Sequence, residues 1–137
     1  MKKILLSAMV LIATSTLTAQ IQNPLLIPPT LTGPNYNLVV DYDSLEIFPG
    51  VFTQTAGVNG AILGPTLIIN KGDVVTMNVE NKLIDTTTMH WHGVHLPSAM
   101  DGGPHSTIFP NTTWTPTWTA MDRASTMWYH PHLHHKT

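Results

Sequence analysis

Two histidine pairs carry the chemistry that this sequence can do. His90 and His92 stand one residue apart in the segment TMHWHG, and His130 and His132 repeat that spacing in WYHPHLHH. Successive side chains of an extended strand alternate between its faces, so both members of a pair should project to the same side. Pro131 cannot donate a ladder hydrogen bond, so the second pair is expected at the edge or break of a sheet. Neutral imidazole binds copper, zinc, nickel and iron, and the spacing therefore predicts a metal site.

The composition narrows the kinds of site that are possible. The 137 residues include 8 histidines, all at or beyond His90, and no cysteine. This excludes disulfides, iron–sulfur clusters, thiolate zinc sites and a cysteine nucleophile. Charged residues make up 10% and hydrophobic residues 42%, which excludes a disordered chain and a basic nucleic-acid-binding surface. Any metal must therefore be held by nitrogen or oxygen ligands.

The N-terminal segment predicts export. Lys2 and Lys3 precede an apolar run at residues 4–13, and small and polar residues follow it as far as Gln20. This is the pattern of a secretory signal peptide, residues 1–19, which is too short for the roughly 20 apolar residues of a membrane span. The mature chain, residues 20–137, is then expected to be periplasmic or secreted, without a membrane span. Loss of the two lysines leaves four basic against eight acidic side chains, so no nucleic-acid partner is expected.

The elements that must position the histidines read as β-strands. Val75, Met77 and Val79 alternate with polar residues, which predicts one buried and one exposed face. The connector at residues 71–73 (KGD) follows another apolar run and is typical of a hairpin. Short runs of this kind, separated by glycine and proline, predict an all-β sandwich or barrel. The strand candidates are residues 36–42, 65–70 and 74–81, with a further run from residue 45 that Pro49 and Gly50 interrupt.

Taken together, the two histidine motifs resemble the first two copper-binding motifs of the multicopper oxidases, the family of laccases, cuprous oxidases and bilirubin oxidases. Three further stretches are also similar to that family, namely residues 100–104 (MDGGP), residues 114–118 (WTPTW), and residues 64–67 (GPTL) followed by residues 71–73. The resemblance implies a cupredoxin domain, a Greek-key β-sandwich of the all-β class, which agrees with the strand pattern.

The resemblance also implies roles for individual residues. His90 would bind the type 2 copper, and His92, His130 and His132 would bind type 3 coppers. Together they would form half of a trinuclear cluster that reduces dioxygen to water with electrons taken from a substrate. Asp101 matches an acidic residue that assists proton delivery in relatives, although a turn residue before two glycines is an equally good interpretation.

The family also has two further histidine-rich motifs, one of which contains the cysteine ligand of the type 1 copper. Without them, this chain is expected to be an N-terminal fragment that is inactive alone, with its sandwich incomplete at the C-terminus. Its expected partners are the remaining cupredoxin domains, dioxygen and an electron donor of unknown identity.

Two other functions remain open from the residues. A small exported copper- or zinc-binding module could use both histidine pairs without catalysis. Zinc-dependent hydrolysis with three histidines and Asp101 as the base also fits in outline.

Structural roles are predicted for the remaining histidines and for the tryptophans, and three methionines are also considered. His95, His105, His134 and His135 are assigned to the surface or to positions that orient a metal ligand. The four tryptophans, Trp91, Trp114, Trp118 and Trp128, are assigned to packing. Met100, Met121 and Met127 form no recognisable copper-binding cluster in the sequence.

Overall fold

The computed structural model describes residues 25–136, and the predicted signal peptide at residues 1–19 lies outside this range. Within it the chain forms nine strands and one 3₁₀ turn, without an α-helix, so the predicted all-β class is confirmed. The strands are β1 Thr30–Thr32, β2 Asn35–Phe48, β3 Val51–Val58, β4 Thr66–Ile68, β5 Val74–Asn81, β6 His90–His92, β7 Thr112–Trp114, β8 Thr117–Thr119 and β9 Trp128–His130, and the 3₁₀ turn is Ser98–Met100.

The main sheet is built around β5. The strand order is β3-β2-β5-β7, and β8 pairs with β5 beside β7. β2 runs parallel to β5, with Leu38 opposite Val79, and β3 returns antiparallel to β2 after the Pro49-Gly50 turn. Consequently both edges of β5 are occupied.

The core forms on one face of this sheet. Tyr36 and Leu38 of β2 and Val75, Met77 and Val79 of β5 are at most 1% exposed, which confirms the predicted alternation in β5. Leu31 of β1 and Leu67 of β4 pack against these residues from the small parallel sheet that β1 and β4 form. Apolar burial of this kind stabilises a fold by roughly 25 cal/mol per Å².

The hairpin predicted at residues 71–73 is wrong. A turn is present, because the Asp73 N–H donates to the Asn70 carbonyl at 3.1 Å, but the strand before it pairs with β1. The Gly72 N–H donates to the Ala120 carbonyl at 2.7 Å, so the turn is tied to the end of β8. Both edges of β5 are paired with strands other than β4. The turn therefore connects the small sheet to the large sheet and does not close a hairpin.

Candidate metal centre

The two histidine motifs meet as a short antiparallel ribbon. β6 pairs with β9 so that His90 lies opposite His130 and His92 lies opposite Trp128. Residues directly opposite each other in an antiparallel pair share a face. One face of the ribbon therefore carries three imidazoles and the Trp128 indole, and the other carries Trp91 and Tyr129.

The Trp91–Tyr129 face fixes the ribbon to the core. Trp91 is 3% exposed, and its ring lies 5.6 Å from that of Trp118 and 6.0 Å from that of Tyr129, centroid to centroid. The Tyr129 hydroxyl donates to the Pro65 carbonyl at 2.7 Å, and burial raises the pKa of Tyr129 to about 12. A Cβ at Gly64 would lie 2.1 Å from the same hydroxyl oxygen, so any larger residue there would displace the Tyr129 side chain. The ribbon is thus held rigidly while its histidine face stays accessible.

Ring nitrogens converge on that accessible face. His90, His92 and His130 each offer one nitrogen, and the three nitrogens lie within 4.8 Å of one another. The closest approach is 3.2 Å, between His92 Nδ1 and His130 Nε2. Three imidazole nitrogens at this spacing can hold metal ions.

Two of these rings are oriented by carbonyl groups. His90 Nδ1 lies 2.9 Å from the Asp101 carbonyl oxygen, and His130 Nδ1 lies 2.7 Å from the Pro131 carbonyl oxygen. A carbonyl can only accept, so each Nδ1 carries the proton and each Nε2 keeps its lone pair. Metal-binding histidines are characteristically oriented in this way, through a hydrogen bond from the other ring nitrogen.

Asp101 contacts His90 with its side chain as well. The carboxylate Oδ2 lies 3.3 Å from His90 Nδ1, and the side chain is 39% exposed. The Asp101 carbonyl also accepts from the Trp91 N–H at 3.3 Å, which holds the loop after the 3₁₀ turn against β6. The structure therefore gives Asp101 a positioning contact with a predicted ligand, and its role in proton delivery stays a prediction.

His132, the fourth predicted ligand, lies beyond the end of β9. Its ring centroid is 5.4 Å from that of His90 and 5.8 Å from that of His130. The strand ends at His130, immediately before Pro131, in agreement with the expected break. The His132 N–H donates to the hydroxyl of Thr88, which is fully buried, at 2.7 Å. This bond joins the second motif to the start of the first.

Replacement of Thr88 by valine should loosen that junction. Thr88→Val keeps the side-chain volume but leaves the His132 N–H without its acceptor, which should cost about 1–3 kcal/mol of unfolding free energy. The measurement is chemical or thermal unfolding of the protein. Thr113→Val, on the exposed side of β7, serves as the matched control and should change stability by less than about 0.5 kcal/mol. Equal effects of the two substitutions would show that the Thr88 hydroxyl does not hold the second motif.

The four histidines that were not predicted as ligands do not belong to the convergent group. His105, His134 and His135 are exposed, as predicted. The imidazole of His95 is hydrogen-bonded to Asp122, at 2.6 Å, and its side chain is 90% exposed.

The assignment of Trp128 to core packing is wrong. Trp128 is 59% exposed, and its ring stacks on His92 and on His130 with centroid distances of 4.5 Å to each. It lies two residues before His130, so strand alternation alone could have placed it on the histidine face. The other three tryptophans do pack, since Trp91 and Trp118 are buried and Trp114 stacks against Trp91.

Comparison with known proteins identifies a family model and several related proteins. The family model described as multicopper oxidase matches residues 40–137. The multicopper oxidase mco of Staphylococcus aureus is 41% identical over 98 residues, which are 72% of this chain and 22% of that protein. Cell division protein FtsP of Escherichia coli is 33% identical over 119 residues, or 85% of this chain and 25% of that protein.

A solved structure shows the same fold. The bacterial laccase-like multi-copper oxidase CueO from Ochrobactrum sp. matches with a TM-score of 0.78 and 39% identity, over 81% of this chain and 26% of that one. This chain thus spans roughly a quarter of the length of these relatives.

Proposed function

The chain belongs to the multicopper oxidase family and has its cupredoxin-like fold, and from this premise we propose that residues 20–137 are the N-terminal cupredoxin domain of an exported oxidase. This domain supplies four histidines to a trinuclear copper cluster that reduces dioxygen to water. The observation that carries the proposal is the convergence of ring nitrogens from His90, His92 and His130 on one face of the β6–β9 ribbon. The remaining ligands and the type 1 copper belong to other cupredoxin domains of the whole protein.

The histidines fit copper in number and chemistry. Imidazole suits copper, and the described residues around the three nitrogens provide no thiolate, which agrees with the absence of cysteine. Imidazole nitrogens lie about 2.0–2.1 Å from a bound metal such as zinc, so two nitrogens on one ion are roughly 3.3 Å apart at a tetrahedral angle. The 3.2 Å between His92 Nδ1 and His130 Nε2 is close to that value.

This distance supports a division of the ligands between ions. We assign His92 and His130 to one type 3 copper and His132 to the other. The family resemblance assigns His90 to the type 2 copper, and the contact of its Nδ1 with the Asp101 carbonyl leaves Nε2 as the ligand atom. The His132 ring meets the His90 ring edge-on, with centroids 5.4 Å apart, so the fourth proposed ligand lies beside the other three.

When bound, copper supplies the redox chemistry that transfers four electrons to dioxygen. The chain's own residues hold the ligands in position and supply protons. The Asp101 carboxylate contacts His90 Nδ1 and is partly exposed, so it lies between solvent and the ligand face and can relay protons towards it. Four protons are consumed for each dioxygen reduced to water, so a side chain at this position that delivers protons would assist the reaction.

The proposed cellular location rests on the sequence of residues 1–19. No helix formed by residues 25–136 has the length and apolar character needed to span a bilayer. We propose that the mature protein is periplasmic or secreted and that it acts there with an electron donor.

Metal removal from the whole purified protein tests this function. The metal-loaded protein should bind copper and consume dioxygen in the presence of an electron donor. Chelation should abolish the oxygen uptake, and copper should restore it whereas zinc should not. The measurements are metal content by mass spectrometry and oxygen consumption at an electrode. Stable binding of zinc in preference to copper, without any oxygen uptake, would instead support a metal-binding module without redox chemistry.

A further inference from the structure

A second group of side chains whose types can bind metal lies outside the histidine face. An open pocket of about 420 Å³ is lined by His95, Met121, Asp122, Arg123, Ser125 and Met127. Met121 and Met127 form no cluster in the sequence pattern, but the fold brings both of them to one pocket with an imidazole.

His95 is held in one orientation by Asp122. The His95 ring Nδ1 lies 2.6 Å from Asp122 Oδ1, and the His95 backbone N–H donates to Asp122 Oδ2 at 3.2 Å. This hydrogen bonding lowers the pKa of Asp122, so the carboxylate is ionised and accepts a hydrogen bond from the Nδ1–H group. In the neutral imidazole this arrangement leaves the Nε2 lone pair free, and the His95 side chain is 90% exposed. A carboxylate that orients an imidazole is a recurring support of metal-ligating histidines.

The two thioethers are placed differently from the core methionines. Met77 and Met89 are 1% exposed, whereas Met121 is 59% exposed. Met127 lies over Gly93, with its Cγ 3.8 Å from the position that a Cβ at Gly93 would occupy. Thioether sulfur is a soft ligand, and soft ligands select cuprous ion over calcium or magnesium.

We propose that this pocket binds a single cuprous ion through His95 Nε2 and the sulfurs of Met121 and Met127. The ligands are neutral, so they suit an ion of low charge. Arg123 lines the same pocket and opposes cations, and this repulsion is twice as large for a divalent ion as for a monovalent one at the same distance. The pocket is open to solvent, which makes the site an exchangeable one.

The pocket adjoins the histidine face without sharing its ligands. Met127 directly precedes Trp128, whose ring stacks on His92 and His130. Since none of its ligands belongs to the proposed copper cluster, the site stands or falls independently of the proposed function.

Silver ion, a redox-inert stand-in for cuprous ion, tests the site in the whole protein. With methionine methyl groups labelled with carbon-13, one equivalent of silver should shift the NMR signals of Met121 and Met127, while those of Met77 and Met89 stay in place. A competition assay with a coloured cuprous chelator should then give the affinity. Removal of the orienting carboxylate in Asp122→Ala should weaken binding by roughly tenfold or more, and loss of both sulfurs in Met121→Leu/Met127→Leu should weaken it further.

Met100→Leu is the matched control, because Met100 lies in the 3₁₀ turn away from this pocket, and it should bind with unchanged affinity. The proposal is overturned if stoichiometric silver leaves the Met121 and Met127 methyl signals in place. It is equally overturned if the double leucine variant, folded as judged by its spectrum, binds cuprous ion within about twofold of the parent. Silver bound only by the cluster histidines would leave the Met121 methyl unshifted, so the two sites are distinguishable.

Discussion

The variant His130→Ala is expected to lose copper-dependent oxygen reduction in the whole protein while the fold persists. The substitution removes one nitrogen of the 3.2 Å pair with His92 Nδ1 and also the ring that stacks on Trp128. Loss of residues that merely orient metal ligands costs about 10–100-fold in affinity or activity, so loss of a ligand should cost at least about 100-fold. The measurements are copper per protein molecule and the rate of oxygen uptake.

The matched control for this variant is His105→Ala. His105 is exposed in the loop after the 3₁₀ turn and does not belong to the convergent group of nitrogens. Its replacement should leave copper content and oxygen uptake unchanged. Thermal unfolding of both variants should show a folded protein, which separates loss of a ligand from loss of structure. Full copper content and full activity in His130→Ala would contradict the assignment of this residue.

The local geometry of the site was predictable because strand alternation is a local property. His90 and His92 share a face of β6 and Trp91 lies on the other, as the spacing predicts. The same alternation applies to Trp128 and His130, but the general tendency of tryptophan to be buried led to the wrong assignment.

The remaining errors concern contacts between residues far apart in the sequence. β4 pairs with β1, and the two edges of β5 are occupied by β2 on one side and by β7 and β8 on the other. His95 finds Asp122 across 27 residues, and no periodic pattern connects the two. The pocket with Met121 and Met127 depends on that same long-range contact. Pairing across such distances is decided by the whole fold, which a local pattern does not encode.

Gly102→Ala is the substitution with the largest expected effect on stability. Gly102 has a φ of +73°, and a Cβ there would lie 1.7 Å from the Met89 carbonyl oxygen and 3.1 Å from His90 Cα. The left-handed backbone costs an alanine about 1–2 kcal/mol, and forcing an extra carbon into a packed position costs about 1–3 kcal/mol more. To relieve the overlap the loop must move away from β6, which would stretch the bonds from His90 Nδ1 and the Trp91 N–H to the Asp101 carbonyl. The type 2 copper assigned to His90 should therefore be lost along with stability.

Gly72→Ala separates the two contributions, because Gly72 also has a positive φ, of +95°, but a Cβ there would meet no atom within 4 Å. Only the backbone strain of about 1–2 kcal/mol should then be observed, and the excess in Gly102→Ala measures the overlap with β6. Thermal unfolding of the copper-free protein gives the stabilities, and copper content after reloading reports on His90. If Gly102→Ala does not fold at all while Gly72→Ala does, the overlap is still the cause. If the two variants are equally stable and bind equal copper, the loop that carries Asp101 is free to move away from β6 without cost, and Asp101 cannot be what fixes the His90 ring.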